Sequence, residues 1–287
     1  MVRPFQLHQA ESLDHTFALL ERYGPDDVHL MAGGTSLMVL MNLGLVEPTN
    51  VIALHHVREL KGIQRTGDGG LEIRALATHR QAERSPDVQA YCPELAKTFA
   101  HVATIRIRNQ ATVGGNLAHA DPAQDPPPML IALGAQVVLA SELGERSLPL
   151  EEFFVGYLTT VLQPGEVVSA VRLPPLPEGT RAVYHKFLPR SQDDYATVSV
   201  GATMLVDEQG RCQDVRIALG GAASVPLRPK AVEEALRGEI LSDRRIAEAA
   251  ALVLALVDPP DDARGSARYK RQMARVWTER ALRSLTA

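Results

Sequence analysis

Cysteine is nearly absent from this chain of 287 residues, which contains only Cys92 and Cys212. Two thiols exclude a disulfide framework, and they are too few to hold an iron–sulfur cluster such as [4Fe–4S], which needs four thiolates. Long apolar runs are missing too, because the most apolar stretch, residues 249–257, is far shorter than a membrane span. The first residues lack the apolar core of a secretory signal. We therefore expect a cytoplasmic protein with no transmembrane segment.

An excess of positive charge is also lacking. The chain has 30 basic and 34 acidic residues, a net charge of −4, which does not favour a nucleic-acid partner. Apolar residues make up 45% and charged residues 22%, an ordinary globular composition. A chain of this length is long for a single hydrophobic core, so we expect two or three subdomains. The proline-rich segment 174–177 is the predicted main boundary.

The hydrophobic pattern changes at that boundary. Before it, a strand, a turn, a helix and a strand follow one another over residues 28–54, and residues 62–75 alternate like a β-hairpin. Ser12 is a predicted helix N-cap. After the prolines, strands come first and helices follow, which favours a separate α+β unit. The predicted elements of this unit are strands 182–188, 196–206 and 212–219 and helices 229–237, 242–257 and 268–285.

Two glycine-rich segments carry most of the functional information. They are Ala32-Gly33-Gly34-Thr35-Ser36-Leu37 and Thr112-Val113-Gly114-Gly115-Asn116. Glycine lets backbone N–H groups approach an anion closely, since no Cβ intervenes. Neither segment has the Lys-Ser/Thr ending of a P-loop or the Gly-x-Gly-x-x-Gly pattern of a Rossmann site. Either one alone is explained by a simple turn, but together they predict an extended phosphate ligand held from two sides.

Other polar residues leave alternatives open. His55-His56 has no partner at metal-ligand spacing, which favours a solvated turn. His119 is either a ligand contact or a structural element of its loop. Arg106 and Arg108 either attract phosphate or form salt bridges. We predict no catalytic residue and no metal ligand, because no nucleophile–base pair or ligand set is visible.

Together the two segments resemble the FAD-binding medium subunit of the molybdenum hydroxylases, the family that contains carbon monoxide dehydrogenase and xanthine dehydrogenase. Further segments similar to that family are 121–125, 162–168, 184–187, 193–196 and 262–269. The resemblance implies an α+β protein with a two-subdomain FAD-binding fold of the vanillyl-alcohol-oxidase/PCMH type. It implies subdomains at 1–55 and 56–177, and a C-terminal α+β domain of the CO dehydrogenase flavoprotein type at 178–287.

The resemblance also implies which residues bind FAD. Both glycine segments would cradle the pyrophosphate with backbone amides and hydroxyls. Asp125 would accept hydrogen bonds at the adenosine ribose or its surroundings, and Val168 would line the flavin. Lys186 would lie near the isoalloxazine, where a cation stabilises reduced flavin, and Tyr195 would pack against the ring. The implied cofactor-binding residues are Ala32, Gly33, Gly34, Thr35, Ser36, Leu37, Thr112, Gly114, Gly115, Asn116, Asp125, Val168, Lys186 and Tyr195.

The resemblance finally implies a place in a complex. A large partner subunit would hold the molybdenum–pterin site and a small one two [2Fe–2S] clusters, in a dimer of heterotrimers. Electrons would pass from the clusters through FAD to NAD, a quinone or oxygen. The substrate would bind another chain. Two alternatives stay open: a stand-alone flavin-dependent oxidoreductase, and a nucleotide-binding or assembly protein without flavin.

Overall fold

A small parallel sheet with two helices forms the N-terminal part of the protein. The computed structural model describes residues 2–25, 27–188, 191 and 193–286. The first elements are β1 (Gln6–Gln9), α1 (Leu13–Tyr23), β2 (Val28–Met31), α2 (Leu37–Asn42) and β3 (Asn50–Ala53). Strand β3 lies in the centre and pairs in parallel with both β1 and β2. Ser12 caps α1 by accepting the N–H of His15 at 3.1 Å, as predicted. The first glycine segment therefore begins at the carboxyl end of β2 and leads directly into α2.

An antiparallel sheet covered by short helices forms the middle part. Its elements are β4 (Ile63–Arg65), β5 (Leu71–Arg74), α3 (His79–Arg84), α4 (Pro86–Tyr91), α5 (Pro93–Ala100), α6 (Ile105–Arg108), α7 (Val113–His119), α8 (Pro126–Ala132), β6 (Gln136–Ser141), β7 (Gly144–Pro149), β8 (Phe154–Gly156), β9 (Thr159–Thr160) and β10 (Val167–Leu173). The five-stranded sheet has the order β4-β5-β10-β6-β7. One buried apolar core joins this part to the N-terminal sheet, so the two pack as neighbours.

The C-terminal part is a second α+β layer. Its elements are β11 (Arg181–Phe187), β12 (Val198–Val206), β13 (Cys212–Gly220), α9 (Lys230–Leu236), α10 (Asp243–Ala251), α11 (Val253–Leu256) and α12 (Ala267–Thr286). The three strands form an antiparallel sheet in chain order. Helix α12 buries Ala274, Thr278, Ala281, Leu282 and Leu285, a helical spacing that presents one apolar face to the sheet. A second core lies between them. The predicted α+β architecture is confirmed.

Close backbone contact joins the C-terminal sheet to the middle part. A Cβ on Gly201 of β12 would lie 2.6 Å from the backbone nitrogen of Met129 in α8, so only glycine allows this approach. Thr203 also donates its hydroxyl to the carbonyl of Ala132 at 3.0 Å. These contacts fix the position of α8, and with it the segment around Asp125 that precedes the helix.

Two predicted elements differ from the structure. The second glycine segment was expected to be a loop, but residues 113–119 form helix α7, capped by the Thr112 hydroxyl. The single helix expected over residues 242–257 is divided at Leu252 into α10 and α11. In the part of the chain that the structure describes, no helix has both the length and the hydropathy needed to cross a membrane.

Candidate functional site

The two glycine segments meet at a cleft between the N-terminal and middle parts. The cleft has a volume of about 280 Å³, and both segments line it together with Leu162, Glu166 and Val168 near the start of β10. The first segment packs against the backbone just before the second, because a Cβ on Gly33 would lie 2.0 Å from the carbonyl oxygen of Gln110. The structure thus places one predicted set, Ala32–Leu37, Thr112, Gly114–Asn116 and Val168, around one cavity.

The first glycine segment presents a row of unpaired backbone donors. Within the described residues, the N–H groups of residues 32–36 have no hydrogen-bond acceptor. Gly34 has a φ of +70°, a left-handed conformation that glycine adopts at little cost. Successive N–H groups in such a turn form a concave site for an anion. The segment therefore has the donors that a phosphate or pyrophosphate group requires.

The second glycine segment uses its own amides differently. Val113 donates to the carbonyl of Ala77 at 2.9 Å, and Gly114 donates to that of Ala75 at 2.8 Å. Gly115 donates to the Thr112 hydroxyl oxygen at 3.1 Å. The expectation that these backbone amides hold phosphate is therefore corrected: those of Val113 and Gly114 join α7 to the segment that follows β5, and that of Gly115 closes the cap of the helix. A Cβ on Gly114 would lie 2.5 Å from the Cβ of Ala75, so this glycine allows tight packing.

Three residues at the cleft each have a polar side-chain atom without a hydrogen-bond partner in the described chain. The Asn116 Oδ1 is buried and accepts no hydrogen bond within the described chain, and the Nδ1 of His29 is also buried and unpaired there. His119 lines the cleft as well, and its burial lowers its pKa. No side-chain hydrogen bond of His119 occurs among the described residues, which favours the ligand-contact alternative. The sequence pattern did not single out His29, because a histidine in a short apolar strand carries no distinguishing signal.

Asp125 and Lys186 lie outside this cleft and pair with each other. Their Oδ2 and Nζ atoms are 2.9 Å apart, and both side chains are buried, at 4% and 2% exposure. The Tyr184 hydroxyl donates to the other carboxylate oxygen at 2.7 Å. Burial, partly offset by Lys186 and Tyr184, raises the pKa of Asp125 to about 6. The Lys186 charge is therefore compensated locally, and the same ammonium group also donates to the carbonyl of His101 at 2.9 Å.

Tyr195 lies in a separate hollow with Asp194 and Arg264. The Arg264 guanidinium carbon is 5.3 Å from the centre of the Tyr195 ring, a cation–π geometry. Burial, together with the carboxylates of Asp121 and Asp125, raises the pKa of Tyr195 to about 12, so its hydroxyl is protonated at neutral pH. Tyr195 thus sits near the Asp125 network rather than at the glycine segments.

Comparison with known proteins decides between the possible families. Residues 3–176 match the model described as "FAD binding domain in molybdopterin dehydrogenase". The chain belongs to the FAD-binding medium subunits of the molybdenum hydroxylases. Residues 183–285 match the "CO dehydrogenase flavoprotein C-terminal domain". The predicted family, its FAD-binding domain and the oxidoreductase class are thereby confirmed.

Relatives of this medium subunit align over nearly its whole length. It is 36% identical over 273 residues to the 6-hydroxypseudooxynicotine dehydrogenase complex subunit alpha of Paenarthrobacter nicotinovorans, covering 95% of this chain and 91% of the relative. It is 34% identical to the carbon monoxide dehydrogenase medium chain of Hydrogenophaga pseudoflava, covering 100% and 99%. A solved structure of carbon monoxide dehydrogenase from that organism, lacking the Mo-pyranopterin moiety, matches with a TM-score of 0.95 at 35% identity, covering 99% and 98%. These relatives differ in substrate, so the shared chain does not itself define one.

Proposed function

We propose that this medium subunit holds FAD in the cleft between its N-terminal and middle parts and transfers electrons within a molybdenum hydroxylase complex. A small partner subunit with [2Fe–2S] clusters would deliver the electrons, and a large partner with the molybdenum–pterin site would oxidise the substrate. The final acceptor would be NAD, a quinone or oxygen. The complex would be a dimer of heterotrimers in the cytoplasm. The names of relatives from dehydrogenase complexes support this assignment.

The row of unpaired N–H groups at residues 32–36 is the observation that carries the proposal. Buried or partly buried donors without acceptors are uncommon in folded proteins, because each loses its hydrogen bonds to water. A pyrophosphate supplies several acceptor oxygens and negative charge at once. The residues present therefore fit the phosphate portion of FAD, with the N–H groups as direct donors.

The remaining walls of the cleft fit the rest of the cofactor. Leu30, Leu54 and Leu60 form an apolar wall that excludes water from an aromatic ring. Asn116 Oδ1 is placed to accept a hydrogen bond from a ribose hydroxyl or a ring N–H. Val168 contributes apolar contact from β10. The chemistry that FAD supplies when bound is the acceptance of electrons from one-electron clusters and their release to an external acceptor.

Three further residues of the proposed cofactor site lie outside this cleft, namely Asp125, Lys186 and Tyr195. Asp125 would accept hydrogen bonds at the adenosine ribose or its surroundings, and Lys186 and Tyr195 would lie beside the flavin ring. The Asp125–Lys186 pair is nearly neutral as a unit, so we expect it to orient donors and acceptors rather than to impose a full positive charge. The Tyr184 hydroxyl fixes the orientation of the Asp125 carboxylate at 2.7 Å.

Exposed apolar side chains beside the first glycine segment support a role as one subunit among several. On and just after α2, Val39, Leu43 and Leu45 are 54%, 67% and 69% exposed. Large apolar side chains clustered on one short segment are typical of surface that another protein covers. This segment follows directly from residues 32–36, so such a partner would lie close to the cofactor.

The test is to compare the isolated chain with the reconstituted complex. The purified chain should bind one FAD but should not reduce it with any hydroxylase substrate. Addition of the large and small partner subunits should restore substrate-dependent flavin reduction, measured by bleaching of the visible flavin absorbance. Reduction of FAD by an organic substrate in the single chain would instead establish the stand-alone oxidoreductase. Absence of FAD binding under any condition would favour the assembly protein.

A further inference from the structure

A second cavity lies on the other side of the contact between Gly33 and Gln110. It has a volume of about 630 Å³, large enough for a small organic ligand. The walls of this cavity and of the cofactor cleft share Ala32, Gly33, Leu76 and Thr112. None of the roles proposed for the cofactor-binding residues uses this side of the segments. The cavity is therefore a separate space that shares a wall with the cleft.

All ionisable side chains among the described residues lining this cavity are basic. They are His55, Lys61 and Arg84. Neither Lys61 nor Arg84 forms an ion pair within the described chain, although most other basic side chains near the middle part are paired with carboxylates. Burial, assisted by the charges of His56 and Lys61, lowers the pKa of His55. The exposed side chains of Lys61 and Arg84 thus supply positive charge that no carboxylate of the described residues neutralises, in a chain whose net charge is −4, whereas the lowered pKa of His55 favours its neutral form.

Three polar side chains of the cavity, those of Thr78, Gln81 and Ser85, each use their oxygen to accept a backbone N–H. Thr78 Oγ1 accepts the N–H of Gln81 at 3.1 Å, and Gln81 Oε1 accepts the N–H of Thr78 at 2.9 Å. Ser85 Oγ accepts the N–H of Val88 at 3.4 Å. Because these oxygens are engaged in capping α3 and α4, the hydroxyl hydrogens and the Gln81 side-chain N–H₂ group remain for another partner. Donors and cations without a lining carboxylate select an anion.

An apolar wall faces these donors. Ile63, Leu76 and Ala77 line the same cavity, next to Ala32 and Gly33. A bare inorganic anion gains nothing from such a wall, whereas a molecule that combines phosphate with a flat ring fills both parts. We propose that this cavity binds a phosphate-bearing nucleotide, in addition to FAD, with Lys61 and Arg84 at the phosphate and Ile63 and Leu76 against the base.

The shared wall places this nucleotide site directly beside the cofactor cleft. A nucleotide against Ala32 and Gly33 would press on the same segment that lines the cofactor cleft. This inference goes beyond the proposed electron route, and it depends on that proposal only in using the chain with FAD bound. FAD loading is therefore measured first, by visible absorbance, so that a failure to bind FAD is recorded separately from a failure to bind the second nucleotide.

The test is calorimetric titration of the FAD-loaded full chain with ADP at physiological ionic strength. We expect binding of one ADP without release of FAD. Lys61→Glu and Arg84→Glu should each weaken ADP binding by about tenfold or more, since each removes a charge-assisted contact and adds repulsion. Arg58→Glu is the matched control: Arg58 is exposed, lies three residues from Lys61 and does not line the cavity. It should change ADP affinity by less than about twofold.

Inorganic pyrophosphate separates the phosphate from the base. It should bind more weakly than ADP, and Ile63→Ala, at a residue that lines this cavity and not the cofactor cleft, should reduce the affinity for ADP but not for pyrophosphate. The proposal is overturned if the FAD-loaded chain does not bind ADP at millimolar concentration, or if ADP displaces FAD one for one. It is also overturned if Arg58→Glu weakens binding as much as Lys61→Glu, or if pyrophosphate binds as tightly as ADP.

Discussion

Replacement of Gly33 by alanine tests the cofactor cleft most sharply. The added Cβ would lie 2.0 Å from the carbonyl oxygen of Gln110 and 2.6 Å from its carbon. Both atoms belong to the backbone, so a side-chain rotation cannot relieve the overlap. The first glycine segment must therefore move away by about 1.4 Å to restore ordinary contact.

A shift of that size moves the N–H groups of residues 32–36 out of hydrogen-bonding range of a bound pyrophosphate. Loss of about two hydrogen bonds to a charged group, at about 1.5–3 kcal/mol each, corresponds to FAD binding weaker by about a hundredfold or more. Overpacking should also lower the free energy of unfolding by about 1–3 kcal/mol. The chain should stay folded, with a melting temperature reduced by several degrees.

The assay is the FAD dissociation constant, measured by fluorescence well below the melting temperature. Gly67→Ala serves as the control, because a Cβ on Gly67 meets no atom within 4 Å and its φ is not in the left-handed region. The control should bind FAD like the wild type. A folded Gly33→Ala protein with an FAD dissociation constant within about twofold of the wild type would refute the reasoning.

Three further predictions concern buried groups and metals. Asp125→Asn leaves the Lys186 ammonium buried without its counter-ion, so it should lower the free energy of unfolding, measured in urea, by about 3–5 kcal/mol. Tyr184→Phe should lower it by only about 1 kcal/mol. Equal losses for the two variants would contradict the ion-pair account. His79 is buried with both ring nitrogens unpaired among the described residues, and burial with the nearby Arg108 charge lowers its pKa to about 4. The unfolded chain binds a proton at His79 near the ordinary pKa, so the free energy of unfolding of the wild type should fall as the pH falls from about 6.5 to about 4. His79→Leu should remove that loss and raise the free energy of unfolding at neutral pH by about 1–2 kcal/mol. An unchanged pH profile of the melting temperature would exclude this role. Elemental analysis of the isolated chain should find neither iron nor molybdenum at a stoichiometric level, since two cysteines are too few to bind an iron–sulfur cluster. Stoichiometric iron would contradict the proposed division of cofactors among the subunits.

Local patterns in the sequence predicted most of the helices and strands. Ser12 begins α1 as expected because its hydroxyl accepts an amide of the first turn, a local interaction. Strand β2 runs over residues 28–31 as predicted, since a short apolar run followed by two glycines has few other conformations. At the second glycine segment the sequence predicts a turn, because adjacent glycines usually mark a turn that needs a positive φ. Packing reversed that preference, as Gly114 allows α7 to lie directly against Ala75.

The sequence alone determined the family, the FAD-binding domain and the two glycine segments, because these depend on short motifs whose order along the chain is itself the signal. Tertiary structure decided what each segment does. Residues 32–36 keep their N–H groups free because they follow a parallel strand and have no neighbouring strand to pair with. Val113 and Gly114 instead donate their N–H groups to Ala77 and Ala75. Asp125 meets Lys186 across a separation of 61 residues. Hydrogen bonds and ion pairs between distant segments depend on how whole layers pack, and no local pattern of residues specifies that.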